Sequence, residues 1–227
     1  MNDLNKAYKI INSIPLDANR DLVFSMAKEA FEESSLCFEA ASIVSHIVDN
    51  YEDKERVLLT NINSLTDVIK SQKIEDTKLI NNLNKAKYEL GSLYYEYGFY
   101  KEALKIFETL DIKDNELIKY KLMVIYTLFE DEKIEDLYKI LITKIDNTEY
   151  VRLSFTYMIY LYKTNNLNKA RELFKEIDEI NPNIKLVLND EEVSDELTKE
   201  AYKVLKNNSI LINSCPYLIK DIVLYNK

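Results

Sequence analysis

Few side chains in this sequence are of the types that carry out catalysis or hold metal ions. His46 is the only histidine. Its neighbours are apolar in a pattern typical of a buried helix face: Ile43, Val44, Ile47 and Val48. A transition-metal site or a nucleophile–base pair needs a second histidine or a cysteine near the first. The sequence near His46 supplies neither, so we interpret His46 as a packed or edge residue.

The cysteines and glycines also lack the spacing that chemistry requires. Cys37 and Cys215 lie far apart, which predicts two reduced core thiols rather than a metal knuckle or a disulfide framework. A phosphate-binding loop needs several glycines that free backbone N–H groups, but the chain has only Gly91 and Gly98. We therefore expect no catalytic residue, no metal site and no cofactor, and we expect that the protein is not an enzyme.

The net negative charge of the chain disfavours two classes of binding partner. The formal net charge of the 227 residues is -9, so most of the surface should repel nucleic acid and anionic membranes. The acidic runs 130–132, 190–192 and 195–196 are interpreted as solvated connections and first helical turns. The chain shows no basic start followed by an apolar stretch and no apolar run of membrane-spanning length, which predicts a cytoplasmic location.

Composition and periodicity together predict an all-helical chain. Hydrophobic residues make up 47%, but there are only 2 glycines and 3 prolines, fewer than the turns of a sheet protein would need. Apolar positions recur with a period of 33 or 34 residues. They form three series of equivalent positions, namely Ala103, Leu137 and Ala170; Phe107, Leu141 and Phe174; and Tyr100, Ile134 and Leu167. Such a period is typical of stacked helical hairpins.

The clearest unit can be interpreted as a pair of helices separated by a break at 97–99. Leu90, Gly91 and Tyr94 share one face of the first helix, and Gly91 would let the second helix approach closely. Ala103 would be the small residue at the crossing, with Phe107 beyond it.

The ends of the units carry residues that stop helices. Gly98 lies where a left-handed residue should end the first helix, and Asn165 holds the matching place two units later. Pro182, which cannot continue a helix, should close the last unit.

These residues resemble the tetratricopeptide repeat family, whose unit is a 34-residue pair of antiparallel helices. The resemblance covers three units, 84–117, 118–150 and 151–184. It is carried by family-type residues in the first and third units and by period and hydrophobicity in the second, where Ile125 and Leu137 replace the usual small residues. It implies a right-handed superhelical solenoid.

The flanks follow the pattern less closely. Residues 1–83 should hold degenerate repeats, since the apolar positions of the first helix reappear 33 residues later. This predicts a lone helix followed by a hairpin over about 18–48. The period then slips, and we expect irregular helices near 53–65 and 66–72. Residues 185–227 should form capping helices, near 195–206 and 216–225.

The resemblance also implies a concave groove lined by the first helix of each unit. Six of its fifteen predicted lining residues are Tyr or Phe. In order along the three helices, the lining is Lys85, Tyr88, Ser92, Tyr95 and Glu96; Lys119, Leu122, Tyr126, Phe129 and Glu130; and Arg152, Phe155, Ile159, Tyr162 and Lys163.

Two interpretations of these aromatic residues stay open. They could anchor a bound peptide, since rigid aromatic side chains dominate interface energetics, or they could pack against the neighbouring repeat. Tyr95, Tyr126 and Tyr162 are our best candidates for exposure. Some family members bind a C-terminal carboxylate through asparagines, but Ser92 and Ile159, like Tyr126, stand at those positions, which disfavours such a clamp.

The predicted function is a non-catalytic scaffold or adaptor that binds a protein or peptide in the groove. One alternative is a regulatory or sensory module that acts through a partner protein. Another is a protein that assembles with itself, for example as a homodimer, because the ends of a repeat stack expect a neighbour.

Overall fold

A computed structural model describes residues 2–72, 76–111, 116–144 and 147–180 of the chain. These residues form ten α-helices and a short 3-10 helix, Ile142–Lys144, and they contain no strand. The all-α class is therefore confirmed for this part of the chain. The α-helices are α1 (Asn2–Asn12), α2 (Arg20–Glu33), α3 (Phe38–Ile47), α4 (Tyr51–Gln72), α5 (Thr77–Glu96), α6 (Tyr100–Phe107), α7 (Glu116–Phe129), α8 (Lys133–Leu141), α9 (Asn147–Lys163) and α10 (Leu167–Ile180).

The helices belong to two compact units, α1–α6 and α7–α10, which divide after Leu110. Within each unit every helix packs against the next one in the chain. Side-chain contacts support an antiparallel arrangement of α1 with α2 and of α2 with α3. Lys6 Nζ in the first half of α1 donates to Glu33 Oε1 at the end of α2 over 2.9 Å. Arg20 Nη2 at the start of α2 donates to the Ile47 carbonyl at the end of α3 over 2.8 Å.

The predicted repeat boundaries do not coincide with the point where the two units divide. The first predicted repeat, 84–117, spans the point after Leu110 where the units divide. The boundary at 83 stays a prediction. The one at 184, together with the expected capping helices over 185–227, lies outside the described residues.

Small side chains build much of the core of the first unit. Ala7, Ala30 and Ala40 are completely buried in a cluster with Cys37 and Leu65. Cys37 is a free thiol, as predicted, and burial raises its pKa, which favours the thiol over the thiolate. The lone helix and following hairpin predicted for the start of the chain are confirmed as α1, α2 and α3. Cys215 lies outside the described residues.

The prediction of two irregular helices over 53–65 and 66–72 is wrong. The structure has one continuous helix, α4, over Tyr51–Gln72. No glycine or proline interrupts these residues. Leu58 and Leu65, seven residues apart, are both buried, and Asn61 between them is buried too. One face of α4 therefore stays in contact with the rest of the unit through two turns, which favours an unbroken helix.

Three turns between paired helices have the same backbone geometry. Gly98 (φ 79°) and Asn165 (φ 62°) are left-handed, which confirms the prediction, and Glu130 (φ 58°) is a third such residue that the sequence did not reveal. The residue after each one donates its N–H to the carbonyl five positions earlier. The N···O distances are 2.8 Å for Phe99 to Tyr94, 2.9 Å for Asp131 to Tyr126 and 2.7 Å for Asn166 to Leu161. This pattern is the Schellman motif, which satisfies carbonyls at a helix end.

Gly91 permits the close contact between α5 and α6. A Cβ atom at Gly91 would lie 2.6 Å from Cε1 of Phe107, whose ring is completely buried. Ala103, the small residue expected at the crossing, is also completely buried. The predicted close approach of the two helices at Gly91 is confirmed, and the Phe107 ring fills the space that a side chain there would need.

Candidate functional site

The predicted groove residues on α5 differ in exposure. Lys85 and Glu96 are exposed, and Tyr88 and Ser92 are partly buried. Tyr95 is only 4% exposed, because its ring packs edge-on against Tyr100 at the start of α6, with 5.5 Å between ring centroids. The expectation that Tyr95 is an exposed anchor is wrong.

On α7 the predicted lining is mostly buried. Leu122 and Lys119 are buried, and Tyr126 is 6% exposed, so the expectation of an exposed Tyr126 is also wrong. The reason is that α7 packs against both α8 and α9, which bury two of its faces. Phe129, at the end of the helix, is 40% exposed and is the aromatic member of this row that lies at the surface.

On α9 the same pattern recurs. Phe155 and Ile159 are completely buried, and Tyr162 is partly buried. The side chain of Arg152 lies outside the described residues. Because α9 packs against α7, α8 and α10, the interpretation that first-helix aromatics pack against neighbouring helices holds for its buried members.

Most of the residues predicted to pack the repeats together are buried, among those whose side chains the structure describes. Tyr94 is partly buried, and the side chain of Phe174 and all of Pro182 lie outside the described residues. The buried members are Leu90, Gly91, Ala103, Phe107, Leu137, Leu141 and Ala170.

Two further predicted groove residues have a structural contact with each other. Lys163 Nζ on α9 donates to the Leu128 carbonyl at the end of α7 over 2.9 Å, and it lies 3.7 Å from Glu130 Oε1. Its side chain is largely buried. Lys163 therefore satisfies a carbonyl at the end of α7 and joins two helices of the second unit.

The side chain of Glu89 on α5 lies beside Ser42 and His46 of α3. Sequence reasoning did not single out Glu89. Ser42 Oγ donates to Glu89 Oε1 over 2.6 Å, and Glu89 Oε2 is buried without a hydrogen-bond partner. Burial raises the pKa of Glu89, although the Ser42 bond and the charge of His46 act to lower it.

The histidine of this group is not arranged as a general base. His46 is exposed, and its Nδ1 donates to the Ser42 backbone carbonyl over 2.8 Å. The Ser42 hydroxyl hydrogen is directed at Glu89. The three side chains therefore form a structural network between helices and not a nucleophile–base pair.

Sequence reasoning missed an aromatic cluster at one end of the first unit. Tyr51, the first residue of α4, packs against two rings of the turn between α5 and α6. The centroid of its ring lies 4.9 Å from that of Tyr97 and 5.2 Å from that of Phe99. Tyr97 is 48% exposed and Phe99 43% exposed. We name Tyr51, Tyr97 and Phe99 the aromatic turn patch.

A shared carboxylate fixes the base of this patch. Glu55 Oε1 accepts hydrogen bonds from the hydroxyls of Tyr51, at 2.9 Å, and Tyr94, at 2.7 Å. The Tyr94 ring meets Phe99 edge-on at 6.4 Å. The sequence contains one signal for the patch, since two aromatic residues flank Gly98 in a turn where polar residues are usual.

The described residues show neither a metal-binding cluster nor a membrane-spanning helix. Within the described ranges, no three His, Cys, Asp or Glu side chains are grouped so that they could hold a metal ion. None of the helices described is long and apolar enough to cross a membrane. The chain matches no protein-family model, no curated protein and no solved structure.

Proposed function

We propose that the chain is a non-catalytic helical-repeat protein of the tetratricopeptide type that binds a partner protein or peptide. The observation that carries the proposal is the recurrence of one turn geometry at Gly98, Glu130 and Asn165, 32 and 35 residues apart. Each of these turns joins two helices of a predicted repeat. A spacing near 34 residues supports the resemblance, and stacks of such hairpins leave extended helix faces as binding surfaces.

The partner contacts belong to the members of the predicted groove that are exposed or partly exposed. In the first unit these are Lys85, Tyr88, Ser92 and Glu96 on α5. In the second unit they are Phe129 and Glu130 at the end of α7 and Tyr162 and Lys163 on α9, and each set is a candidate surface by itself. Tyr95 and Tyr126 instead hold the hairpins together. Burying an aromatic anchor such as Phe129 under a partner would contribute about 2 kcal/mol of binding free energy.

A peptide selection followed by calorimetry tests this function. Peptides are selected from a random displayed library against the immobilised chain, and their affinities are measured for the wild type and for Tyr88→Ala, Phe129→Ala and Tyr162→Ala. We expect at least one of these variants to bind about 10-fold more weakly, as the loss of an anchor implies. Leu16→Ala is the control, because Leu16 is fully exposed in the connection between α1 and α2.

The proposed groove fails if every selected peptide binds all three variants as tightly as it binds the wild type. It also fails if repeated selections return no peptide that binds the folded chain.

A further inference from the structure

The turn that carries the aromatic patch departs from the two turns that share its backbone geometry. The residue after the left-handed position is Asp131 in the second turn and Asn166 in the third, both of which are residue types favoured at helix starts. Asp131 Oδ1 accepts a hydrogen bond from the Lys133 backbone N–H over 3.0 Å. Phe99, at the same place in the first turn, is the N-cap of α6 and makes no side-chain capping bond. Helix initiation therefore does not explain an aromatic residue at this position.

Burial does not explain Phe99 either. Phe99 and Tyr97 each leave more than two fifths of their surface in solvent. Their rings are nevertheless held in place, because both pack on Tyr51, whose hydroxyl is tied to Glu55. Rings that are fixed before binding lose little conformational entropy when a partner covers them.

The charges around the patch are mainly negative. Burial, the hydrogen bond to Glu55 and the nearby carboxylates of Glu102 and Glu52 raise the pKa of Tyr51 to about 12. Burial and two of these carboxylates, Glu55 and Glu102, also raise the pKa of Tyr94.

Two ammonium groups offset part of this charge. Arg56 is engaged in an ion pair with Asp53. Apart from this ion pair, the start of α4, the end of α5 and the start of α6 carry four carboxylates and two ammonium groups. They are Glu52, Glu55, Glu96 and Glu102 against Lys54 and Lys101. This leaves an excess of negative charge on the segments that flank the patch.

We infer that the aromatic turn patch binds a basic segment of a partner protein, with an arginine stacked on Tyr97 or Phe99 and paired with a flanking carboxylate. A planar guanidinium stacks on aromatic faces and pairs with carboxylates, which an apolar or acidic segment could not do. An aliphatic residue beside the arginine covers the second ring. The inference rests on the proposed function in taking a protein as the partner, and it adds the charge of that partner and a second surface.

Fluorescence anisotropy with three labelled nine-residue peptides tests the inference. The peptides alternate Arg with Leu, Lys with Leu and Glu with Leu. The Arg peptide should bind the wild-type chain several-fold more tightly than the Lys peptide, and the Glu peptide should not bind. Phe99→Asn and Tyr97→Ser should each weaken binding of the Arg peptide about 10-fold, the loss typical of an interface anchor. Phe99→Asn places a capping-type residue before α6, so a cooperative thermal melt should show that the variant is folded.

Matched variants separate the patch from the effect of net charge. Glu52→Gln combined with Glu102→Gln should weaken binding of the Arg peptide, whereas Glu29→Gln combined with Glu32→Gln, which removes the same charge from the exposed face of α2, should not. Leu22→Ala should also leave this binding unchanged, although Leu22 on α2 is as exposed as Phe99.

Three results would overturn the inference. They are no binding of the Arg peptide, equal binding by the patch variants and the wild type, and equal binding of the Arg and Glu peptides. The proposed function can fail separately, because its test depends on Tyr88, Phe129 and Tyr162 and not on the patch.

Discussion

At the scale of single residues, the main conflict in the fold is the buried carboxylate of Glu89. Its Oε1 accepts a hydrogen bond from Ser42, but its Oε2 is buried without a partner. Removing a charged oxygen from water without a replacement bond destabilises the folded state. The neutral form of this side chain is therefore favoured by folding.

Glu89→Gln should stabilise the protein at pH 7. The pKa of Glu89 in the folded chain is raised above its ordinary value of 4.5. The protonated form therefore contributes stability that is fully present below pH 4.5 and is lost as the pH rises through the folded-state pKa. Glutamine is neutral at every pH and keeps an acceptor for Ser42. The gain over wild type should be present at pH 7 and shrink towards pH 4, as measured by urea unfolding across this range.

Glu96→Gln on the same helix is the control for this experiment, because Glu96 is exposed. A variant at position 89 that is less stable than wild type at pH 7, or whose effect does not change with pH, would show that the buried charge has no cost.

At the scale of helices and turns, the fold depends on the left-handed residues that end α5, α7 and α9. Glycine adopts this conformation without a steric penalty and asparagine adopts it readily, but a glutamate does not. Glu130 therefore stores strain at the turn between α7 and α8. Its ion pair with Lys163 is partly exposed, with 52% of the glutamate side chain in solvent, and offsets little of this cost.

Glu130→Gly should raise the free energy of unfolding by about 0.5–1 kcal/mol. Relief of the left-handed strain contributes about 1–2 kcal/mol, and the greater freedom of glycine in the unfolded chain removes about 0.4–1 kcal/mol of it. Chemical denaturation of the variant and the wild type measures the difference.

The matched change at the first turn, Gly98→Ala, should have the opposite sign. It introduces a side chain at φ 79° with no steric neighbour, so its destabilising effect, about 1 kcal/mol, comes from the backbone alone. If Glu130→Gly proves destabilising while Gly98→Ala is neutral, the two turns do not share one conformation in solution.

Sequence reasoning found those helix boundaries that local chemistry dictates. The break around Gly98 and the left-handed Asn165 follow from residue type and spacing, and both are confirmed. Glu130 adopts the same conformation without any local preference for it, because the ends of two packed helices fix its backbone. The continuity of α4 likewise depends on tertiary contacts of Leu58 and Leu65, and no local signal reveals them.

The candidate sites were less accessible to sequence reasoning. The spacing placed Tyr95 and Tyr126 on a helix face opposite the hairpin contact. It could not show that the Tyr95 ring packs on Tyr100 of its own hairpin partner α6, or that α9 packs against α7 in addition to α8. The aromatic turn patch was missed for a related reason. Tyr51 and Tyr97 are 46 residues apart in the sequence, and only the packing of α4 against α5 brings their rings together.

At the scale of the whole molecule, the described chain consists of two helical units, each built by the successive packing of neighbouring helices. The first unit contains α1–α6, among them the long helices α4 and α5, and the second contains α7–α10. The proposed function requires that both units are folded. It also requires that each contains helical hairpins whose turns have the left-handed residue seen at Gly98, Glu130 and Asn165.

Backbone NMR assignment of the chain tests this claim most directly. Carbon chemical shifts should be helical throughout the ten α-helices, and three-bond couplings together with shifts should give positive φ at Gly98, Glu130 and Asn165. Strand-type shifts within 84–111 or 147–180, or helical φ values at Glu130 and Asn165 with the helices running through them, would contradict the account.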